Sequence, residues 1–166
     1  DLVKNSLRMR PDRVVIGECR GGEALDMLQA MNTGHDGSIS TLHANSPRDC
    51  IARLETLVLM AGMDLPLRAI REQIGSAVDL IVQISRMRDG SRRITYVTEL
   101  TGIKNEEPVL NDLYRFDFGA GYGADGKPLG SVKPVGSGEH LVELLEERGI
   151  KVPPHLLAST QEGVTP

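Results

Sequence analysis

The amino-acid sequence predicts an α/β fold: a parallel sheet core with flanking helices, plus a β-hairpin. Three observations carry this. An unbroken apolar run, Val14-Val15-Ile16, is followed by the amphipathic stretch GGEALDMLQAMNTG and then by the strand-like GSISTLH at residues 37–43. SPRD at residues 46–49 opens a helix. Asp89-Gly90 separates two β-rich runs, VDLIVQISR and RRITYVTEL.

Residues 2–9 read as the end of a helix that stops at Pro11, because the residue before a proline avoids the helical region. The three-residue apolar run after it is expected to be a short strand buried on both faces. Leu25, Leu28 and Met31 then recur at helical spacing, with Glu23 in the first turn and Gly34 as the stop. With GSISTLH this makes a β-α-β unit over residues 13–43, whose strands must be parallel. Ser46, Pro47 and Asp49 supply a hydroxyl cap, a first-turn proline and an early acid, and Ile51, Leu54, Val58 and Ala61 give the helix its apolar face until Gly62. A further helix follows Pro66 through about Ile74. After the hairpin the character changes near Gly102, and residues 119–138 are dense in glycine, so loops are expected there. GEHLVELLEERG restores a helix at 138–149, and frayed ends are expected beyond it. Residues 1–118 and 119–166 are read as the two domains.

Composition bounds the function. A net charge of −4 argues against nucleic-acid binding through bulk electrostatics, and none is predicted. Cys19 and Cys50, in different elements, form neither a disulfide framework nor a metal knuckle. No apolar run reaches the ~20 residues a membrane span needs, and no signal sequence is visible. The chain opens at Asp1 inside a helical pattern, which reads as a fragment.

In a parallel α/β sheet, ligands bind beyond the carboxyl ends of the strands. Both strands of the β-α-β unit end there in capable side chains, Glu18 after RVVIG and His43 after GSISTL. Glu18 has the form of a Walker B acid that could hold Mg²⁺ through water, or it simply faces solvent. Arg20, on a glycine-flanked turn, could engage phosphate or another subunit, or stand exposed without a partner. A metal site on His35 and His43 lacks a third and fourth ligand at recognisable spacing, and His35 could instead cap the preceding helix. Period-two alternation puts Ile39, Thr41 and His43 on one face and Ser38, Ser40 and Leu42 on the other. GYGADGK at 121–127 imitates a phosphate-binding loop, but Pro128 stands where a hydroxyl is needed and PLGSVKP cannot start the required helix. Asp125-Gly126 reads as a turn.

With these residues in place, the chain resembles the C-terminal half of the RecA-like motor domain of secretion and type IV pilus ATPases, most of all the Flp (tight-adherence) pilus assembly ATPases of the CpaF type. The resemblance runs over roughly residues 2–102, through LRMRPDRVVIGECRGG, TGHDGSISTLHANSPRD and RDGSRRITYVTEL. It implies that Gly17, Glu18 and Arg20 form the Walker B box, and that Thr33, Gly34, His35, Thr41 and His43 form the family's histidine box. By that analogy Glu18 supports Mg²⁺ and water, His43 contacts or senses the γ-phosphate of ATP, and His35 helps shape the site. It further implies a homo-hexamer in the cytoplasm, held against the inner membrane through platform proteins of a pilus or secretion machine. Arginines of a neighbouring protomer complete such sites, with Arg8, Arg10 and Arg13 as unranked candidates. Neither a Walker A motif nor the family's upstream acidic box occurs in the 166 residues, so the chain alone is expected not to hydrolyse ATP. A conjugative or effector-secretion ATPase, a non-catalytic assembly domain and a histidine-based metal hydrolase are the alternatives.

Overall fold

The computed structural model describes residues 2–153. The chain divides into two compact units, Asp1–Val78 with Gly102–Val109, and Asp79–Thr101 with Leu110–Pro166.

The first unit is the β-α-β region and its helices. Helix α1 (Leu2–Arg8) stops short of Pro11, with Arg10 turned to a left-handed φ of 52°. Strand β1 (Val15–Ile16) and β2 (Ile39–Ser40) are parallel, pairing Val15 with Ile39 and Ile16 with Ser40. Bonds from Ile39 N to the Val14 carbonyl and from Cys19 N to the Thr41 carbonyl extend the pairing at both ends. The crossover between them is α2 (Glu23–Met31), followed by a turn in which Gly34 takes a φ of 87°.

The expectation of a strand buried on both faces does not hold. Val14 is buried, yet Val15 is 76% exposed and its partner Ile39 62%. The reason is physical: this sheet has two strands, and among the described residues nothing layers over its outer face. The alternation along 38–43 does hold, since Ile39, Thr41 and His43 are all exposed while Ser38, Ser40 and Leu42 are half-buried.

Helix α3 (Pro47–Leu59) starts as its sequence directs, the Ser46 hydroxyl accepting from Asp49 N at 3.1 Å with Pro47 in the first turn. Helix α4 (Leu67–Ala77) runs a turn beyond the expected end near Ile74. Helices α2, α3 and α4 pack on one another, and Leu28, Ile51, Val58, Ile70 and Ile74 form the centre of that core. Burial of such side chains contributes roughly 1.5–3 kcal/mol each. Arg71 on α4 ties in residues 105–107, its Nε donating to Glu55 Oε1 at 2.7 Å and its Nη1 to the Glu106 carbonyl and Glu107 Oε1.

The second unit holds most of an antiparallel sheet, whose β4–β5 turn within Gly102–Val109 belongs to the first. Strands β3 (Leu80–Arg86), β4 (Arg92–Lys104), β5 (Glu107–Phe116) and β6 (Val132–Pro134) lie in that order. The β3–β4 turn is the expected one: Gly90 has φ 83°, and Asp89 Oδ1 accepts from Ser91 N and Oγ. Strand β5 is the element the sequence reading missed. The turn before it uses Asn105 and Glu106, both at positive φ (52° and 66°), the pair of left-handed residues that a two-residue hairpin requires. Residues 121–127 form a turn, as read: Gly126 has φ 78°, and Lys127 N donates to Asp125 Oδ1. Helix α5 (Glu139–Glu147) completes the unit, its Leu141 N donating to the buried carboxylate of Glu99.

Candidate functional site

The carboxyl ends of β1 and β2 lie side by side, and the side chains beyond them meet. His43 Nε2 stands 2.8 Å from Glu18 Oε1, and the Arg20 guanidinium closes an ion pair on Glu18 Oε2. The Arg20 and His43 side chains are 75% and 83% exposed, whereas Glu18 is only 25% exposed. An anion thus sits between two cation-capable groups that reach into solvent.

The hydrogen bond and ion pair with Arg20 are the main cause holding the Glu18 carboxyl below its ordinary value of 4.5; the His43 contacts add to it and partial desolvation opposes it. The group is therefore a carboxylate at neutral pH. Oε1 is shielded from solvent and lies against the His43 imidazole.

Local chemistry fixes the strand ends. The Thr41 hydroxyl donates to the Gly17 carbonyl, so these two residues lock β2 to β1 one step before the site. Beyond Glu18 the backbone turns through Arg20, Gly21 and Gly22 into α2, and Glu23 Oε1 accepts from both Arg20 N (2.7 Å) and Gly21 N (3.0 Å). Sequence reasoning placed Glu23 only as a first-turn acid; an acid three residues after the arginine was the available signal. A crevice of about 530 Å³ opens beside Glu18, lined also by Leu2, Val3, Val14, Ile16 and Glu23.

Thr33, Gly34 and His35 are elsewhere. They stand at the carboxyl end of α2, before β2 begins, at the edge of the strands away from Glu18. The Thr33 hydroxyl donates to the Gln29 carbonyl at 2.7 Å, and His35 Nδ1 bonds the Ala30 carbonyl at 3.0 Å. These contacts satisfy the open carbonyls of a helix end. Ser38 then links the edge to the start of β1, accepting from Val14 N at 2.9 Å. The two halves of the histidine-rich segment are thus separated, with His43 at the acid and His35 at the helix end. Arg8, Arg10 and Arg13 are all exposed.

Among the described residues no group of three or more His, Cys, Asp or Glu side chains could enclose a metal ion. The Glu18 donor set fits a cation that keeps most of its water and takes one or two carboxylates, as Mg²⁺ does. It does not match the closed N/S shell of zinc. No helix among the described residues is long and apolar enough to cross a membrane.

The Type II/IV secretion system protein family model matches residues 1–109. A Mycobacterium tuberculosis protein named for conjugal transfer is 44% identical over 69% of this chain and 36% of its own length. The conjugal transfer protein TrbB of Rhizobium radiobacter is 44% identical over 63% of this chain and 31% of its own. The crystal structure of the VirB11 ATPase from the Brucella suis type IV secretion system, in complex with sulphate, superposes with a TM-score of 0.55 at 37% identity, covering 59% of this chain and 30% of that one. The chain spans about a third of the length of these relatives. Its α/β fold is that of the C-terminal part of a RecA-like secretion ATPase domain. The chain belongs to the Type II/IV secretion system protein family.

Proposed function

We propose that the chain supplies the Walker B and histidine-box half of a hexameric motor ATPase that couples ATP hydrolysis to the work of a secretion or pilus machine. The observation that carries this is the meeting of Glu18, Arg20 and His43 beyond two parallel strands, in a chain of this family. Mg²⁺ bound with the nucleotide would neutralise charge developing on the phosphates. The ionised Glu18 would hold that ion through water and orient the attacking water molecule. Arg20 and His43, exposed on either side, would face the γ-phosphate. Gly17 and Thr41 keep the two strand ends in register beneath them. Thr33, Gly34 and His35 would shape the site from the far end of α2, by holding the helix whose other end follows the Arg20 turn. Arginines from a neighbouring protomer, among them Arg8, Arg10 and Arg13, would complete each site.

The machine being driven is the finer point. Residues 2–102 resemble Flp pilus assembly ATPases, for which the partners would be inner-membrane platform proteins holding a cytoplasmic hexamer at the membrane. The relatives matched here bear names of conjugal transfer and type IV secretion, and that observation favours a conjugative or secretion role. The experiment is Glu18→Gln in the full-length protein. ATP binding is expected to persist while turnover falls at least a hundredfold, as loss of a catalytic group does. Unchanged turnover would point instead to a non-catalytic assembly domain.

A further inference from the structure

We propose that Glu23 is a positioning residue of this site: its carboxylate clamps the Arg20 turn and thereby holds the guanidinium at Glu18. This rests on the ATPase reading above.

The turn that carries Arg20 is intrinsically loose. Gly21 and Gly22 follow directly, and glycines lose more conformational freedom on ordering than any other residue. The N-cap position of α2, Gly22, has no side chain to satisfy the first amides of the helix. Glu23 takes over part of that work from inside the helix. Its Oε1 accepts from Arg20 N at 2.7 Å and from Gly21 N at 3.0 Å, two successive amides on one oxygen. These bonds, the Arg20 amide first, hold the Glu23 carboxyl below its ordinary value, as expected of a carboxylate held by backbone N–H groups.

A second contact pins the turn from the other side. A Cβ on Gly22 would meet Ala61 Cα at 2.8 Å and its backbone N at 3.1 Å, so the turn lies directly against the end of α3. With one flank against α3 and its amides on Glu23, the backbone of Arg20 has little freedom left. The side chain is then aimed by the fold at Glu18. The clamp also has a chemical consequence. The Arg20 and Gly21 amides are already occupied by a carboxylate, so they do not present the open N–H groups with which a helix N-terminus binds phosphate. What the turn offers an anion is the Arg20 guanidinium.

The test is made on the full-length protein with Glu23→Ala, Glu23→Gln, Arg20→Ala and the double variant Arg20→Ala/Glu23→Ala. Misplacing a catalytic group by about 1 Å can cost on the order of a hundredfold. Glu23→Ala is therefore expected to lower kcat roughly tenfold to a hundredfold, with a smaller effect on KM for ATP. Glu23→Gln keeps a carbonyl acceptor for the two amides and should restore most of the turnover. The double variant should lose no more than Arg20→Ala alone, because residues acting as one unit are not additive. Wild-type kcat in Glu23→Ala, losses that multiply in the double variant, or a Gln variant as damaged as the Ala variant would each overturn the proposal. Hydrogen exchange on the same proteins separates this from the ATPase reading. Loss of protection at the Arg20 and Gly21 amides in Glu23→Ala supports the clamp even if Glu18→Gln leaves turnover intact, and unchanged protection refutes it whatever the turnover.

Discussion

His43 Nε2 and Glu18 Oε1 are 2.8 Å apart although their residues follow different strands and are joined through the whole of α2. The contact exists because the crossover makes the strands parallel, so that both chain directions deliver their last residues to one edge. His35, in the same histidine-rich segment, is delivered to the opposite edge and bonds the Ala30 carbonyl.

That separation predicts different phenotypes for the two histidines. In the full-length protein His43→Ala should lower turnover roughly a hundredfold, the scale of a lost proton-transfer or charge-stabilising group, with the melting temperature unchanged. His35→Ala should leave more activity but cost about 1 kcal/mol of stability, the usual worth of one hydrogen bond. Steady-state turnover and thermal unfolding decide it; equal losses of turnover without loss of stability in His35→Ala would contradict the geometry.

The meeting of Glu18 and His43 in the candidate site was legible because these residues follow backbone rules that local sequence expresses. An apolar strand ending in Glu18, a helix stopped by Gly34 and a strand ending in His43 imply a shared edge before any coordinate is known. Glu23 was not legible as a site residue, since a first-turn acid is ordinary at any helix start and only the fold shows its oxygen on the Arg20 and Gly21 amides. The exposure of Val15 was also hidden, because an apolar run reports preference for burial and says nothing about which neighbours are there to provide it. Strand β5 escaped because Asn105-Glu106 lacks the glycine that advertises a hairpin; Glu106 takes a left-handed φ of 66° that its residue type does not announce.

Stability should reside in the α2–α3–α4 core. Leu28 is completely buried on α2, and Leu28→Ala removes its methyl groups from a packed interior, which costs about 3 kcal/mol. Gly22→Ala should also destabilise, by roughly 1–3 kcal/mol, since its new Cβ would collide with the Ala61 backbone. Denaturant unfolding measures both; a neutral Gly22→Ala would mean that α2 and α3 are less closely set than 2.8 Å implies.

In the second unit, Lys133 Nζ lies 2.7 Å from Asp117 Oδ2 and Gly119 N donates to Oδ1. The bond to Lys133 is the largest cause holding the Asp117 carboxyl below its ordinary value of 3.8. A folded-state value below the unfolded one means that the ionised group favours the fold. Its contribution is complete above pH 3.8 and is lost as pH falls through the folded value. Carboxyl NMR titration should show the Asp117 midpoint rising toward 3.8 in Lys133→Ala. A midpoint indifferent to that substitution would remove Lys133 as the cause.

The chain by itself should not turn over ATP. In the proposed reading Glu18, Arg20 and His43 provide an acid and two groups that would face the γ-phosphate, but phosphoryl transfer also needs a cradle of backbone amides and a lysine around the phosphates. No G-x-x-x-x-G-K-[ST] occurs in the 166 residues, and GYGADGK, the nearest imitation, is a turn closed by Asp125 with Pro128 at the hydroxyl position. The Arg20 and Gly21 amides are taken by Glu23 and cannot substitute. Phosphate release by the purified 166-residue chain with Mg²⁺ and ATP should therefore stay at the buffer background, while the full-length protein turns over. Activity in the isolated chain that disappears with Glu18→Gln would mean that this half holds the triphosphate unaided, by contacts other than the ones described.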